Sequence, residues 1–305
     1  MSASRGRRVV GSGLTFLTGA AAALVMGMLA FILWDIARGG AARLSWEFLT
    51  ADPAEGMTAG GIFPAIYGTA VMTILMTVAV MPVGVLTAIY LHEYAPPASR
   101  LAEAVRVAVV NLAGVPSIVF GLFGLGFFIQ FVGRGLDRLL SEPGTLSYGQ
   151  PALVWASLTL AVLTLPVVIV STEEALRAVP RELRDASLAL GATKSQTLAR
   201  IVLPGALPGI LTGAILAVAR GAGEVAPILF TGVAYFLPDL PSSPFSQFMH
   251  LGYHVYVLAT QSPDVEATRP LLYSTVLVLV ALTFALNLVA VVIRSRTRGK
   301  AATAT

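Results

Sequence analysis

Six stretches of this chain are apolar over about twenty residues, the length an α-helix needs to cross the hydrocarbon core of a bilayer. They run roughly Leu14–Trp34, Ile62–Leu91, Val107–Val132, Leu153–Thr172, Ile201–Ala222 and Leu271–Ile293. Soluble domains carry about 25% charged residues; this chain of 305 residues carries 12%, with a mean hydropathy of +0.81. The expected fold class is therefore an all-α polytopic membrane protein with six transmembrane helices. In the second stretch Pro64 marks the start and Pro82 a kink. The first is preceded by Arg5, Arg7 and Arg8 as a signal peptide would be, but it is long and reaches Trp34 and Asp35 without a convincing cleavage site. It reads as an uncleaved anchor. The chain has no cysteine, which excludes disulfides and thiolate metal sites.

Arginine and lysine orient the spans, because loops on the cytoplasmic side collect them. The N-terminus has Arg5, Arg7 and Arg8, and the C-terminus has Arg294, Arg296, Arg298 and Lys300, with no acid in either. The loop after span two holds Arg100 and Arg106. The loop after span four holds Arg177, Arg181, Arg184, Lys194 and Arg200. The three remaining loops balance Arg38 and Arg43, or Arg134 and Arg138, with acids, or hold only Arg269. Both termini are thus expected in the cytoplasm. The net charge of +4 is spread around apolar spans and forms no single basic stripe, which argues against nucleic acid as a partner.

From Glu173 to Arg200 the chain is too polar for lipid, yet rich in good helix formers. Pro180 suits the start of a helix near Arg181. Leu183, Ala186, Leu190 and Leu198 recur at helical spacing. Gly191 interrupts them; glycine costs about 1 kcal/mol inside a helix, so a turn between two helices is expected there. Thr193 would cap the second helix, with Gln196 completing a capping box. By itself this segment could be an ordinary amphipathic helix on the membrane surface.

The spacing adds a resemblance. Asp185-Ala186-Ser187, three residues, Gly191, nine residues, then Ile201-x-Leu203-Pro204 is similar to the EAA loop of binding-protein-dependent ABC importers. Asp stands where that family has Glu, and Ser where it has a second Ala. The resemblance implies a type I (MetI-like) permease fold. Residues 1–60 would form the N-terminus, first helix and outer loop, 61–295 the permease core, and 296–305 a basic tail. The loop at about 173–204 would be the coupling element that docks into a groove on a cytoplasmic ATPase. The chain has no Walker A motif, so ATP and its Mg would be used by that separate subunit, and no cofactor is expected on this chain.

Arg220 and Glu224 lie four residues apart and can meet on one helix face. An ionisable residue inside a membrane costs about 2.5–3.5 kcal/mol on insertion scales and is a functional candidate by default. Two plainer readings compete: counting from Ile201 puts Arg220 near the outer interface, where it would simply reach water, or the pair is structural. Gly221, Gly223 and Pro227 suggest a broken or closely packed helix. In the third span Pro116 is placed to begin a half-helix at Ser117, whose N-terminus would offer free N–H groups to an anion; the plainer reading is a proline kink.

Together with NLAGVPSIVFGLFG (Asn111–Gly124), the segment ARGAGEVAPILFTG resembles the A-type permease subunits of phosphate importers, with likeness from about Tyr67 to Arg294. FMHLGYHVYVLATQS is similar to that family's outer-face excursion. The resemblance implies inorganic phosphate as cargo, and Arg220 suits it, since guanidinium pairs with phosphate oxygens in a bidentate fork. It also implies a homologous C-type permease, an ATPase dimer and an external phosphate-binding protein as partners, in a bacterial inner membrane. The alternatives are a type I permease for another oxyanion, phosphonate or sulfate, and a membrane-embedded enzyme. His250 and His254 have zinc-like spacing but no HExxH glutamate and no evident third ligand, so no metal is expected. Tyr253 and Tyr256 suit an interfacial helix there. The glycines of GLFGLG, and Gly209 with Gly213, suit close helix packing.

Overall fold

The computed structural model describes residues 2–54, 59–96, 98–142, 144–262 and 265–302. Six helical stretches are long and apolar enough to cross a membrane: Gly13–Ala41, Phe63–Tyr94, Ser117–Leu140, Leu153–Arg177, Lys194–Gly221 and Thr268–Arg296. The side chains of Arg5, Arg7, Arg8, Arg298 and Lys300 lie outside the described residues.

The order is α1 (Ser2–Ala41), α2 (Trp46–Thr50), a two-residue antiparallel pair β1 (Pro53–Ala54) and β2 (Ala59–Gly60), then α3 (Phe63–Ile89), which widens into a π turn over Tyr90–Tyr94. Pro64 sits in the first turn of α3, where its missing N–H costs nothing, and Pro82 stands inside the helix. α4 (Arg100–Ala113), α5 (Ser117–Phe123) and α6 (Arg134–Leu140) follow, the last two joined by a π stretch. α7 (Leu153–Arg177) leads to a polar elbow of α8 (Arg181–Ala189) and α9 (Lys194–Thr197). α9 runs through another π turn, Leu198–Val202, into α10 (Leu203–Gly221). After an irregular excursion come α11 (Leu251–Thr260) and α12 (Val265–Ala302).

α7 is the hub. Two thirds of its most apolar window is buried (67%), against 0% for α1. Leu153, Ala156, Leu160, Ala161 and Val168 of α7 pack with Met72, Met76 and Val80 of α3, Ala217 of α10, and Ile228 and Phe248 of the excursion. Small residues set the spacing. A Cβ built on Gly84 would stand 2.6 Å from Val168 Cγ1, one on Gly213 2.0 Å from Ser171 Oγ, and one on Gly209 2.4 Å from the Ala175 Cβ. Gly121 and Gly124 make similar close contacts, whereas Gly126 faces open space. Close backbone approach gives membrane helices the van der Waals contact that burial from water cannot supply in lipid.

The third apolar stretch is two helices, where the sequence read as one span. α4 ends at Ala113, Gly114 caps it, and Pro116 caps a new helix that starts at Ser117. This is a break, whereas a proline kink would have left one helix continuous. Ala102 and Val109 bury α4 against Ala88 and Leu91 of α3 and Ile169 of α7. At the end where α3 and α7 begin, hereafter the far end, the Asp137 carboxylate ties the chain after α6. It accepts from the backbone N–H groups of Ser147 (2.9 Å), Tyr148 (2.8 Å) and Gly149 (2.6 Å) and from the Ser141 hydroxyl (3.0 Å). Tyr273 Oη donates to Asp35 (3.0 Å) and Ser274 Oγ to the Gly40 carbonyl (2.8 Å), joining the end of α1 to the start of α12.

Candidate functional site

The charged corner of α10 is deeper than residue counting suggests. Gly221, its last residue, lies against Met76, and a Cβ there would be 2.2 Å from the Met76 Sδ. Met76 is the middle residue of α3 (Phe63–Ile89). At about 1.5 Å per residue it is roughly 20 Å from either end of that helix. Arg220 therefore sits at mid-depth, away from the outer interface. The count from Ile201 misled because Gly205 already packs on Val179, beyond the end of α7. The first turns of the fifth span thus project past the body of the bundle.

Arg220 Nε and Glu224 Oε1 are 3.7 Å apart across the turn that ends α10. The arginine side chain is 40% exposed and the glutamate 23%. A charge at that depth cannot face hydrocarbon at tolerable cost, so its open side needs water, an anion or another protein surface. The α-helix ends there and Gly223 is exposed, but Pro227, Ile228, Thr231 and Gly232 beyond it are buried. Pro227 lies on Gly121, Thr231 on Gly124, and Gly232 on Ala152 at the start of α7. Backbone hydrogen bonds join this segment to its neighbours: Ala152 N–H donates to Thr231 O (2.9 Å) and Ala234 N–H to Phe248 O (2.8 Å). Irregular backbone at membrane depth is tolerated when buried in this way.

Ser117 opens α5 one helical turn before Gly121, and Gly121 touches the Pro227 that follows Glu224. The fold thus brings the start of α5 towards the level of the Arg220–Glu224 corner. Among the described residues Ser117 makes no hydrogen bond to either.

The elbow has the local structure its sequence encodes. Pro180 precedes α8. Gly191 has φ +85°, a left-handed value that glycine adopts without strain. Its N–H reaches Leu188 O (2.9 Å), and that of Ala192 reaches Ser187 O (3.2 Å), a Schellman close. Thr193 caps α9 with Gln196 in a reciprocal capping box. The Ser187 and Thr197 hydroxyls are 2.9 Å apart and hold the two arms together. No residue of α8 is buried. Asp185 and Ala186 are exposed, as are Leu183 (52%), Leu188 (48%) and Leu190 (90%). Ile201 and Leu203 are half-buried and Pro204 exposed, where the chain enters α10. The elbow therefore presents a polar helix carrying uncovered leucines.

Glu93 escaped notice in the sequence. It lies in the π turn after α3, at the tail of an apolar run, and pairs with Arg184 of the elbow at 2.8 Å. Its only sequence signal was an acid at the end of a span where lysine and arginine prevail. His250 and His254 are buried in the protein (1% and 2% exposed), where the Leu251 N–H donates to Thr69 Oγ1 (2.9 Å) near the start of α3. Val225 lies against Gly252, and the Gly252 N–H donates to His250 Nδ1 (3.1 Å). Tyr253 and Tyr256 stack at 6.2 Å. Among the described residues no three His, Cys, Asp or Glu side chains come together in a metal-binding group.

A family described as binding-protein-dependent transport system inner membrane component matches residues 80–299. A probable ABC transporter permease protein, YqgI of Bacillus subtilis (strain 168), is 31% identical over 86% of this chain and 88% of its own length. The phosphate transport system permease protein PstA 1 of Mycobacterium tuberculosis (strain CDC 1551 / Oshkosh) is 40% identical over 73% of this chain and 69% of its own. Among solved structures, a bacterial ABC transporter involved in alginate import aligns with a TM-score of 0.61 at 17% identity, covering 90% of this chain and 95% of that one. The inward-facing MetNI methionine ABC transporter aligns at 0.53 with 21% identity, covering 78% and 94%. At these identities the structural likeness establishes the fold alone.

Proposed function

We propose that this chain, which belongs to the family of inner membrane components of binding-protein-dependent transport systems, is the permease subunit that passes inorganic phosphate in an ATP-driven importer. Its place among ABC importer permeases is established by the family match and by relatives such as YqgI. Phosphate is the finer step. The observation that carries it is the half-exposed Arg220 at the mid-depth end of α10. A guanidinium there offers a fork of donors matched to a tetrahedral oxyanion. Glu224 holds that fork in place and competes with the anion, which keeps binding weak enough for release. Ser117 and the first turn of α5 would line the same route. The 40% identity to a phosphate transport permease supports this cargo.

In this reading 61–295 is the permease core, and a homologous permease completes the pathway on the open side of Arg220. An external phosphate-binding protein delivers the anion, and the complex sits in the bacterial plasma membrane. Two ATPase subunits, which alone use ATP and Mg, dock on the elbow through Asp185, Ala186, Ser187 and the leucines around Gly191. Ile201, Leu203 and Pro204 lead that elbow into α10. The exposed apolar side of α8 supports such a dock, because leucines left in water gain most from a groove.

The test is uptake of radiolabelled phosphate by vesicles carrying the four-component complex, with arsenate, sulfate and phosphonate as competitors. Phosphate and arsenate are expected to compete, and sulfate and phosphonate to leave uptake unchanged. Uptake of sulfate or phosphonate in preference to phosphate would reassign the cargo to another oxyanion.

A further inference from the structure

A dock transmits motion only if it is fixed to the helices that must move. Covalently, the elbow is tied to α7 and α10 alone. The side chains add a third tie, to the elbow end of α3. Arg184 of α8 places Nη1 2.8 Å from Glu93 Oε1 and donates through Nη2 to the Leu176 carbonyl of α7 at 2.5 Å. Both side chains of the pair are largely covered, at 18% and 12% exposure. On the other arm Lys194 Nζ donates to the Glu93 carbonyl and stands 4.9 Å from the centre of the Tyr94 ring. One short turn of α3 therefore grips both arms, and the Ser187–Thr197 contact keeps those arms in register. Arg106 extends the tie to α4, donating to Leu91 O (2.8 Å) and pairing with Glu173 of α7 (3.5 Å).

Resting on the reading of the elbow as an ATPase dock, we propose that Glu93 is the positioning residue that couples that dock to span two. Through Arg184 it makes the elbow, α3 and α7 move as one body when the ATPase pulls. α3 carries Met76, against which the Arg220 corner ends. A displacement of the elbow thus reaches the mid-depth site along α3, through its π turn and past Pro82, as well as through α10. Glu93 touches no cargo; it acts through Arg184. The tie is a covered charge pair, so removing one partner strands the other, while exchanging both preserves it.

The experiment measures ATP hydrolysis and phosphate uptake together in the reconstituted four-component complex. For Glu93→Gln we expect the ATPase to co-purify and hydrolysis to stay within about twofold. Phosphate carried per ATP should fall at least fivefold. The exchanged pair Glu93→Arg with Arg184→Glu should regain at least half of the wild-type ratio, which a purely local packing role would not restore. Wild-type coupling in Glu93→Gln would overturn the inference. So would an exchanged pair that does not recover, whether it misfolds or merely transports poorly. If Glu93→Gln itself does not assemble, the exchanged pair alone decides, by the same criterion. A wild-type complex that binds no ATPase would instead remove the docking reading on which this one stands.

Discussion

Gly221 rests on the thioether of Met76, the residue at the centre of α3, with room for no side chain between them. That contact sets the depth of Arg220 and so the character of the site. Replacing Arg220 by Gln, or by Lys with its point charge, removes the planar fork. A hydrogen bond to a charged group is worth about 1.5–3 kcal/mol, so initial uptake should fall roughly tenfold or more. The protein should still assemble with its partners. Glu224→Gln should move differently, lowering the half-saturating phosphate concentration while slowing turnover. Wild-type uptake in both Arg220 variants would take Arg220 out of the pathway.

The uncovered leucines of the elbow make a second, independent prediction. Leu190 is 90% exposed, so Leu190→Asp has no core to disturb. It should leave expression and thermal stability of the permease unchanged and reduce recovery of the ATPase in pull-downs by at least tenfold. Undiminished ATPase recovery would show that the dock lies elsewhere.

Helix spacing can be tested at Gly209. Its built Cβ meets the Ala175 Cβ at 2.4 Å, and a methyl group on a backbone cannot rotate away. Gly209→Val should destabilise the detergent-solubilised protein by about 1–3 kcal/mol through overpacking, read as a lower melting temperature. The exchange of Gly209→Ala with Ala175→Gly should recover most of the loss, since it moves the methyl group across the same gap. A melt unaffected by Gly209→Val would refute the spacing argument.

The two buried histidines, His250 and His254, give stability a pH dependence. Burial pushes His250 down to about 3 and His254 down to about 4. Unfolded, each titrates near 6.5. Between those values the unfolded chain binds more protons than the folded one, so stability is full above about pH 6.5 and falls as the medium acidifies. At pH 5 the loss is on the order of 2 kcal/mol per histidine. Melting curves at pH 7.5 and 5.0 should show it, and His254→Phe should shrink the difference. A wild-type melt that does not shift, or a His254→Phe shift as large as the wild type's, contradicts this.

Much of the design was readable before any coordinate. The apolar runs determined six helical stretches because their length matches a bilayer and lipid leaves the backbone few other options. The elbow was legible residue by residue, since the Gly191 turn and the Thr193–Gln196 capping box are local devices whose partners lie within five residues. Arg220 and Glu224 do meet, as their spacing suggested, but across the turn that ends α10 and not on one helix face, since Glu224 lies past the last helical residue.

Relations between distant segments were decided only by the tertiary structure. Hydropathy ran through Gly114–Pro116 because both sides of the break are apolar. The depth of Arg220 was set by how far the fifth span starts outside the bundle, which depends on Gly205 meeting Val179 and Gly221 meeting Met76. Glu93 could not be matched with Arg184 from a sequence separation that large. Local geometry is written in short-range pattern. The register of one helix against another is settled by which side chains interlock.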